Sequence, residues 1–284
     1  MESLILPFIA LFGLVWGSFL NVLIARLPVG QSLGGRSRCP KCLTTLRAAD
    51  LVPLISYLAL RGRCRHCRER ISPRYPAVEI LTSLVFVTTY LAVGLSPLRL
   101  ALYWIYGMAA LAVFFIDFDH TIIPDRIVLP GAGFALATAA LGLDPGGPGL
   151  SMSVLGGILG AGTFLALYLL TQGGGMGMGD VKLMLFIGLA LGPLRVLLTV
   201  LMGSLLALAF AGLVMLIHRR RLKTLHSVTM HYDQEEEPEI TERVWGMMVI
   251  NGKPALPFGP FLSLGFWIAL LWGNAITGWW LGLV

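Results

Sequence analysis

L-A-V-F-F-I-D-F-D-H-T-I-I-P-D, from Leu111 to Asp125, is an apolar run that ends on an aspartate, Asp117. A second aspartate, Asp180, opens the apolar run V-K-L-M-L-F-I-G-L-A-L. Both carboxylates therefore stand at the edge of hydrophobic spans. A charge at membrane depth costs a few kcal/mol on insertion scales, so its default reading is functional, with a partner nearby. Two carboxylates brought together do not both ionise easily, which yields one acid and one base. That is the chemistry of an aspartyl protease.

The rest of the chain agrees with a membrane setting. Of 284 residues, 56% are hydrophobic and only 13% charged, and the mean hydropathy is +0.80. Soluble domains run near 25% charged, so a soluble globular fold is excluded. Reading roughly 20 apolar residues as one crossing, eight spans are expected: Leu4–Ile24, Pro76–Leu95, Leu98–Ile116, Ile127–Leu143, Met152–Thr171, Val181–Leu191, Val196–Ile217 and Pro257–Leu281. The sixth is short for a bilayer unless Asp180 and Lys182 lie within its thickness or the helix is sunk in a cavity. The first span is long enough to cross and is followed at once by Arg26, so it reads as an anchor and no cleavable signal peptide is expected. The expected fold is an all-α polytopic membrane protein.

Charge sets the orientation. The net charge is +6, yet 11 of the 21 Lys and Arg lie between Arg26 and Arg74 and 6 more between Arg219 and Lys253. Such clustering in loops is the positive-inside signature, so a nucleic-acid partner is discounted. Adding Arg126 and Lys182, nineteen basic residues fall on one side, and only Arg99 and Arg195 on the other. The loops 26–75 and 218–256 are then cytoplasmic, both termini face outward, and Asp117 and Asp180 lie on the cytoplasmic side. The expected division is a first transmembrane helix (1–25), a cytoplasmic cysteine domain (26–75) and a membrane core (76–284). The acidic run D-Q-E-E-E-P-E within loop 218–256 reads as a solvated stretch.

All four cysteines form two CxxC pairs, Cys39/Cys42 and Cys64/Cys67, separated by 21 residues. Each CxxC turn offers two thiolates, and four thiolates suit a tetrahedral Zn2+ in a closed structural site, as in a zinc ribbon. Disulfides are disfavoured on the cytoplasmic side. Arg61, Arg63, Arg65, Arg68 and Arg70 surround the second pair, offset the charge of a four-thiolate centre and suit contact with anionic lipid. Around the aspartates, Asp119 and Asp125 read as loop polar residues or helix caps. The stretch G-G-G-M-G-M-G ahead of Asp180 lets an extended substrate strand approach the backbone. Glu79 falls just inside the second span, where an acidic side chain needs a reason. It reads either as a functional carboxylate or as a salt-bridge or helix-start residue.

G-M-G-D (Gly177 to Asp180), paired with D-F-D-H-T-I-I-P-D some 60 positions earlier, resembles the bacterial type IV prepilin peptidase family. G-S-F-L-N-V-L-I-A-R-L-P (Gly17 to Pro28), the double CxxC, R-Y-P-A-V-E (Arg74 to Glu79) and P-F-G-P (Pro257 to Pro260) extend the likeness over nearly the whole chain. The resemblance implies Asp117 and Asp180 as the catalytic pair, and Cys39, Cys42, Cys64 and Cys67 as zinc ligands. It implies a bifunctional inner-membrane enzyme: prepilin and pseudopilin leaders are cut on the cytoplasmic side, and the new amino terminus is N-methylated from S-adenosylmethionine. Members without the cysteine domain are typically peptidases only, so its presence here favours both activities and disfavours a preflagellin peptidase. With methyl transfer implied, Glu79 is a candidate for that step or for binding the substrate amine. The chain has no G-x-G-x-x-G methyltransferase fingerprint, so no donor site is legible from motif. A proton- or ion-coupled transporter is the alternative, although its binding groups would sit nearer the midplane. A zinc scaffold without chemistry leaves the aspartates unexplained.

Overall fold

The chain is described by a computed structural model covering residues 2–174, 176–229, 240–244, 247–250 and 253–280. Nine α-helices appear among them: α1 (Glu2–Arg26), α2 (Ile55–Ala59), α3 (Arg74–Val93), α4 (Pro97–His120), α5 (Asp125–Ala140), α6 (Leu150–Leu170), α7 (Met178–Leu191), α8 (Pro193–Thr229) and α9 (Gly259–Trp280). Except for α2, each forms over one of the eight expected apolar segments. The membrane part is all-helical. A small antiparallel sheet, β1 (Ile240–Val244), β2 (Met247–Ile250) and β3 (Lys253–Ala255), occupies the last loop, where no structure was expected. The acidic run of that loop lies outside the described residues.

Among the described residues, six helices are long and apolar enough to cross a membrane: α1, α3, α4, α6, α8 and α9. The expectation of eight crossings is not met by length. With 16 residues in α5 and 14 in α7, these two reach about 24 and 21 Å at 1.5 Å per residue, short of the roughly 30 Å hydrocarbon core.

The short α7 is the centre of the bundle. Ten of its residues are buried, from Asp180 and Val181 through Leu191. A helix apolar all round is one enclosed by other helices. Phe186 packs at 5.5 Å from Phe266 of α9 and 6.0 Å from Tyr106 of α4, ring centre to ring centre. In lipid such packing holds helices together by dispersion rather than by release of water. The α6–α7 crossing is closer still. A Cβ on Gly156 would collide with the Gly188 carbonyl, and one on Gly188 with the Gly156 carbonyl. The Ser153 hydroxyl donates to the Leu189 carbonyl at 2.5 Å across the same seam. Outward-facing apolar side chains, such as Leu84, Leu205, Leu208 and Trp279, are exposed, as lipid contact requires.

At one end of the bundle, Arg99 pairs with Asp144 at 2.9 Å, and Arg195 donates to the Gly146 carbonyl and to Asn274. The other end carries the cysteine domain between α1 and α3, and there the tips of α1, α4, α5, α7 and α9 converge.

Candidate active site

Asp117 lies in the last turn of α4 and Asp180 in the first turn of α7. They are only 5% and 9% exposed. Both line one cavity of about 1060 Å3, walled by Leu27 and Pro28 after α1, Thr121–Arg126 between α4 and α5, Gly177, Gly179 and Lys182 around α7, and Leu256–Phe258 ahead of α9. The fold thus brings together two aspartates that lie 63 positions apart in the chain.

Each carboxylate is held by backbone. Gly177 is the N-cap of α7 and Asp180 the third residue within it, so the Gly177 N–H is the backbone donor that faces the Asp180 carboxylate. Asp117 accepts the N–H of Gly259, the first residue of α9, so its carboxylate sits at that helix's N-terminus, where the dipole favours negative charge. Asp180 Oδ1 is buried with no hydrogen-bond partner. A buried acceptor left unsatisfied costs about 1–3 kcal/mol.

The neighbouring carboxylates are engaged otherwise. Asp119 forms an ion pair with Arg74 of α3, whose guanidinium also lies 5.6 Å from the Phe115 ring. Asp125 opens α5 and binds Lys182 of α7 at 2.8 Å. These pairs stitch α3 to α4 and α5 to α7 beside the cavity. Gly259 is the participant that sequence reasoning missed. A glycine offers no side-chain chemistry, and the signal was only P-F-G-P at the mouth of the last apolar run.

The four thiols also meet. Their Sγ atoms all lie within 4.8 Å of one another, with Cys39 to Cys67 at 3.8 Å and Cys42 to Cys64 at 4.0 Å. The two CxxC turns are built alike. The Cys39 N–H bonds the Thr44 carbonyl and the Cys64 N–H bonds the Glu69 carbonyl, while Leu43 and Arg68, each following a second cysteine, adopt φ of 57° and 59°. Left-handed backbone at two non-glycine residues is retained only where surrounding bonds fix it. Hydrogen bonds from Thr44 pull the Cys42 thiol down to about 6. Against a backbone hydrogen bond from Glu69, burial and the neighbouring thiols push Cys67 up to about 11, as expected where close thiols do not all ionise without a cation. The cluster is able to hold a metal ion. Asp50, held below the usual carboxylate range by Arg65 at 2.8 Å, ties the two halves of the domain.

Glu79 is set apart from the aspartates. It is 8% exposed and faces a second cavity of about 660 Å3 between α1, α3 and the cysteine domain. Its Oε2 accepts the Leu54 N–H at 2.7 Å. The salt-bridge reading fails, because among the described residues no basic side chain forms an ion pair with it, and Arg74 is taken by Asp119. The helix-start reading fails as well, because Glu79 is the sixth residue of α3, beyond the first turn.

Comparison with known proteins fits this arrangement. The family model described as the bacterial peptidase A24 N-terminal domain matches residues 11–93, and that of the type IV leader peptidase family matches residues 104–212. The chain belongs to the type IV leader peptidase family. It is 35% identical to the prepilin leader peptidase/N-methyltransferase of Aeromonas hydrophila, over 95% of this chain and 92% of that protein. It is 34% identical to the protein of the same name from Pseudomonas aeruginosa, over 94% and 90%. The likeness to the one from Myxococcus xanthus is 37%, over 90% and 75%. No solved structure matches. As a type IV leader peptidase with six membrane-length helices, the chain is a multi-pass membrane enzyme, and the transporter alternative has no support.

Proposed function

We propose that this leader peptidase cuts the leader from type IV prepilins and pseudopilins at the cytoplasmic face of the inner membrane, with Asp117 and Asp180 as the catalytic pair. The observation that carries the reading is two buried aspartates from separate helices lining one cavity. One carboxylate, ionised, takes a proton from a water molecule, which attacks the scissile carbonyl. The other, protonated, donates to the carbonyl oxygen. Collapse of the tetrahedral centre expels the amine, which takes up a proton. The N–H groups of Gly177 and Gly259 keep the carboxylates oriented through these changes. The substrate's hydrophobic helix packs laterally against the bundle, and its leader junction lies extended along Gly177 and Gly179.

The second activity is N-methylation of the new amino terminus from S-adenosylmethionine. The relatives carry N-methyltransferase in their names, and this chain has the cysteine domain. Glu79 serves this half, at the donor or at the substrate amine. The thiol cluster holds a structural Zn2+ through Cys39, Cys42, Cys64 and Cys67. A tetrahedral site with Zn–S near 2.3 Å has sulfur–sulfur edges of about 3.8 Å, and two pairs lie at 3.8 and 4.0 Å. With four sulfurs the site is closed, so the metal folds the domain and performs no hydrolysis. The working division is helix 1–25, zinc domain 26–75 and peptidase core 76–284, with the basic face toward the cytoplasm and anionic lipid.

Mass spectrometry of a co-expressed pilin's amino terminus tests both activities at once. A shortened chain bearing one added methyl is expected. An unprocessed leader would contradict the reading, and a cleaved but unmethylated terminus would remove its second half.

A further inference from the structure

The second cavity has a chemistry of its own. At about 660 Å3 it falls in the 300–1,000 Å3 range of small-molecule sites. Its wall comes from α1 through Ser18 and Asn21, from α3 through Tyr75 and Glu79, and from the cysteine domain through Tyr57. Basic side chains, Arg38, Lys41, Arg65 and Arg70 among them, line its other parts and suit the donor's carboxylate. α1 presses onto α3 at this level: a Cβ on Gly17 would stand 2.6 Å from the Glu79 Cα, and Asn21 donates to the Tyr75 carbonyl at 3.0 Å. These contacts hold the two helices together beside Glu79, whose carboxylate lines the cavity. The Glu79 carboxylate accepts the Leu54 N–H and the Ser18 hydroxyl but has no ion-pair partner among the described residues. A cation entering the cavity would therefore meet a charge that only neutral donors hold.

We propose that this cavity is the methyl-donor site, with the Glu79 carboxylate facing the donor's sulfonium cation and the Tyr57 and Tyr75 rings offering faces to its purine. The inference rests on the methyl-transfer half of the proposed function and locates it. Aromatic faces and a few placed polar groups are what such a ligand requires. The position suits the order of events. Arg26 lines this cavity, whereas the next two residues, Leu27 and Pro28, line the aspartate cavity. A newly cut amino terminus therefore has only the tip of α1 to pass. There the deprotonated amine attacks the donor's methyl carbon. The N–C bond forms as the C–S bond breaks, the electron pair stays on sulfur as a neutral thioether, and the proton lost from the ammonium leaves through Glu79 to water.

The charge on the donor gives the test. Full-length, zinc-loaded enzyme in lipid nanodiscs is assayed by equilibrium dialysis for S-adenosylmethionine, a cation at sulfur, and S-adenosylhomocysteine, neutral there. Glu79→Gln keeps a carbonyl for the Leu54 N–H, so the fold is kept. It should weaken the cationic ligand roughly tenfold, the effect of one lost charge-assisted contact, and change the neutral one about twofold or less. Ultraviolet cross-linking of labelled S-adenosylmethionine to the wild type should mark peptides containing Ser18–Asn21 or Tyr75–Glu79. Equal weakening of both ligands, or label confined to peptides around Asp117 and Asp180, overturns the proposal. Enzyme that methylates cleaved pilin with the label elsewhere overturns only this site. Enzyme that binds the donor in this cavity but cuts no prepilin upholds the site and contradicts the peptidase reading.

Discussion

Gly259 and Asp117 are in such close approach that a Cβ on Gly259 would stand 2.5 Å from Asp117 Oδ2. The start of the last membrane helix is thus a wall of the aspartate site. It supplies an N–H to the carboxylate and leaves no room for a side chain. Gly259→Ala should displace the carboxylate or the helix tip by a fraction of an ångström to an ångström. Cleavage rate should fall roughly ten- to a hundredfold, since misplacement of about 1 Å in a catalytic group costs on that order. Rates are read per folded enzyme in membranes, and an alanine variant at the wild-type rate would detach Gly259 from the site.

Gly177 is different. Its φ of −83° suits any residue, and a Cβ there meets only Asp180 Oδ2 at 3.8 Å. Gly179 is tighter, with Ile123 at 3.0 Å. Gly177→Val should leave protein abundance near normal and reduce turnover about tenfold or more by filling the space a substrate strand uses. Gly179→Val should reduce both. Normal prepilin processing by both variants would mean the glycine run is only a connector.

Much of this was legible in the sequence because it is local. Apolar run length places each of the membrane helices, and a carboxylate at the edge of such a run identifies Asp117 and Asp180. CxxC spacing assembles the thiol cluster. What escaped was set by pairing at long range. α7 reads as a span too short for a bilayer unless Asp180 and Lys182 lie within its thickness or the helix is sunk in a cavity. That it is the enclosed centre depends on Gly156 and Gly188, which let α6 press against it and which no local pattern announces. Asp119 and Asp125 look like loop residues or caps, yet they bind Arg74 and Lys182, which lie 45 and 57 positions away. The role of Gly259 depends on a neighbour from another helix, and no periodicity announces that.

The cysteine domain should carry about one Zn2+ per chain and lose its order first when the metal is removed, because metal binding there is folding energy. The left-handed φ values at Leu43 and Arg68 are held by hydrogen bonds within the two cysteine turns, which the metal would pin together. Chelation, or Cys64→Ser, should release this domain to limited proteolysis while α4 to α9 stay protected. Acid should act in the same direction: Asp50 is held low by Arg65, so its contribution is fully present above the ordinary carboxylate range and is lost as pH falls below that range through its lowered folded-state value. Thiols that react fast in the native enzyme, or zinc well below stoichiometric, would contradict this.

Glu79→Gln should lower the methylated fraction of cleaved pilin, by about tenfold for loss of one charged group at the reacting centre. The fraction is read from the mass of the mature amino terminus. Full methylation would remove Glu79 from the mechanism, and loss of cleavage in parallel would move it to substrate docking.

The central claim is that Asp117 and Asp180 act together on the scissile peptide. The direct measurement is the cleavage rate of a purified prepilin by wild type, Asp117→Asn and Asp180→Asn in nanodiscs, with thermal unfolding recorded for each. Either asparagine should cut the rate by roughly a hundredfold or more, since each carboxyl supplies a separate proton transfer, with unfolding temperatures near that of the wild type. Processing at the wild-type rate by either folded variant would contradict the account.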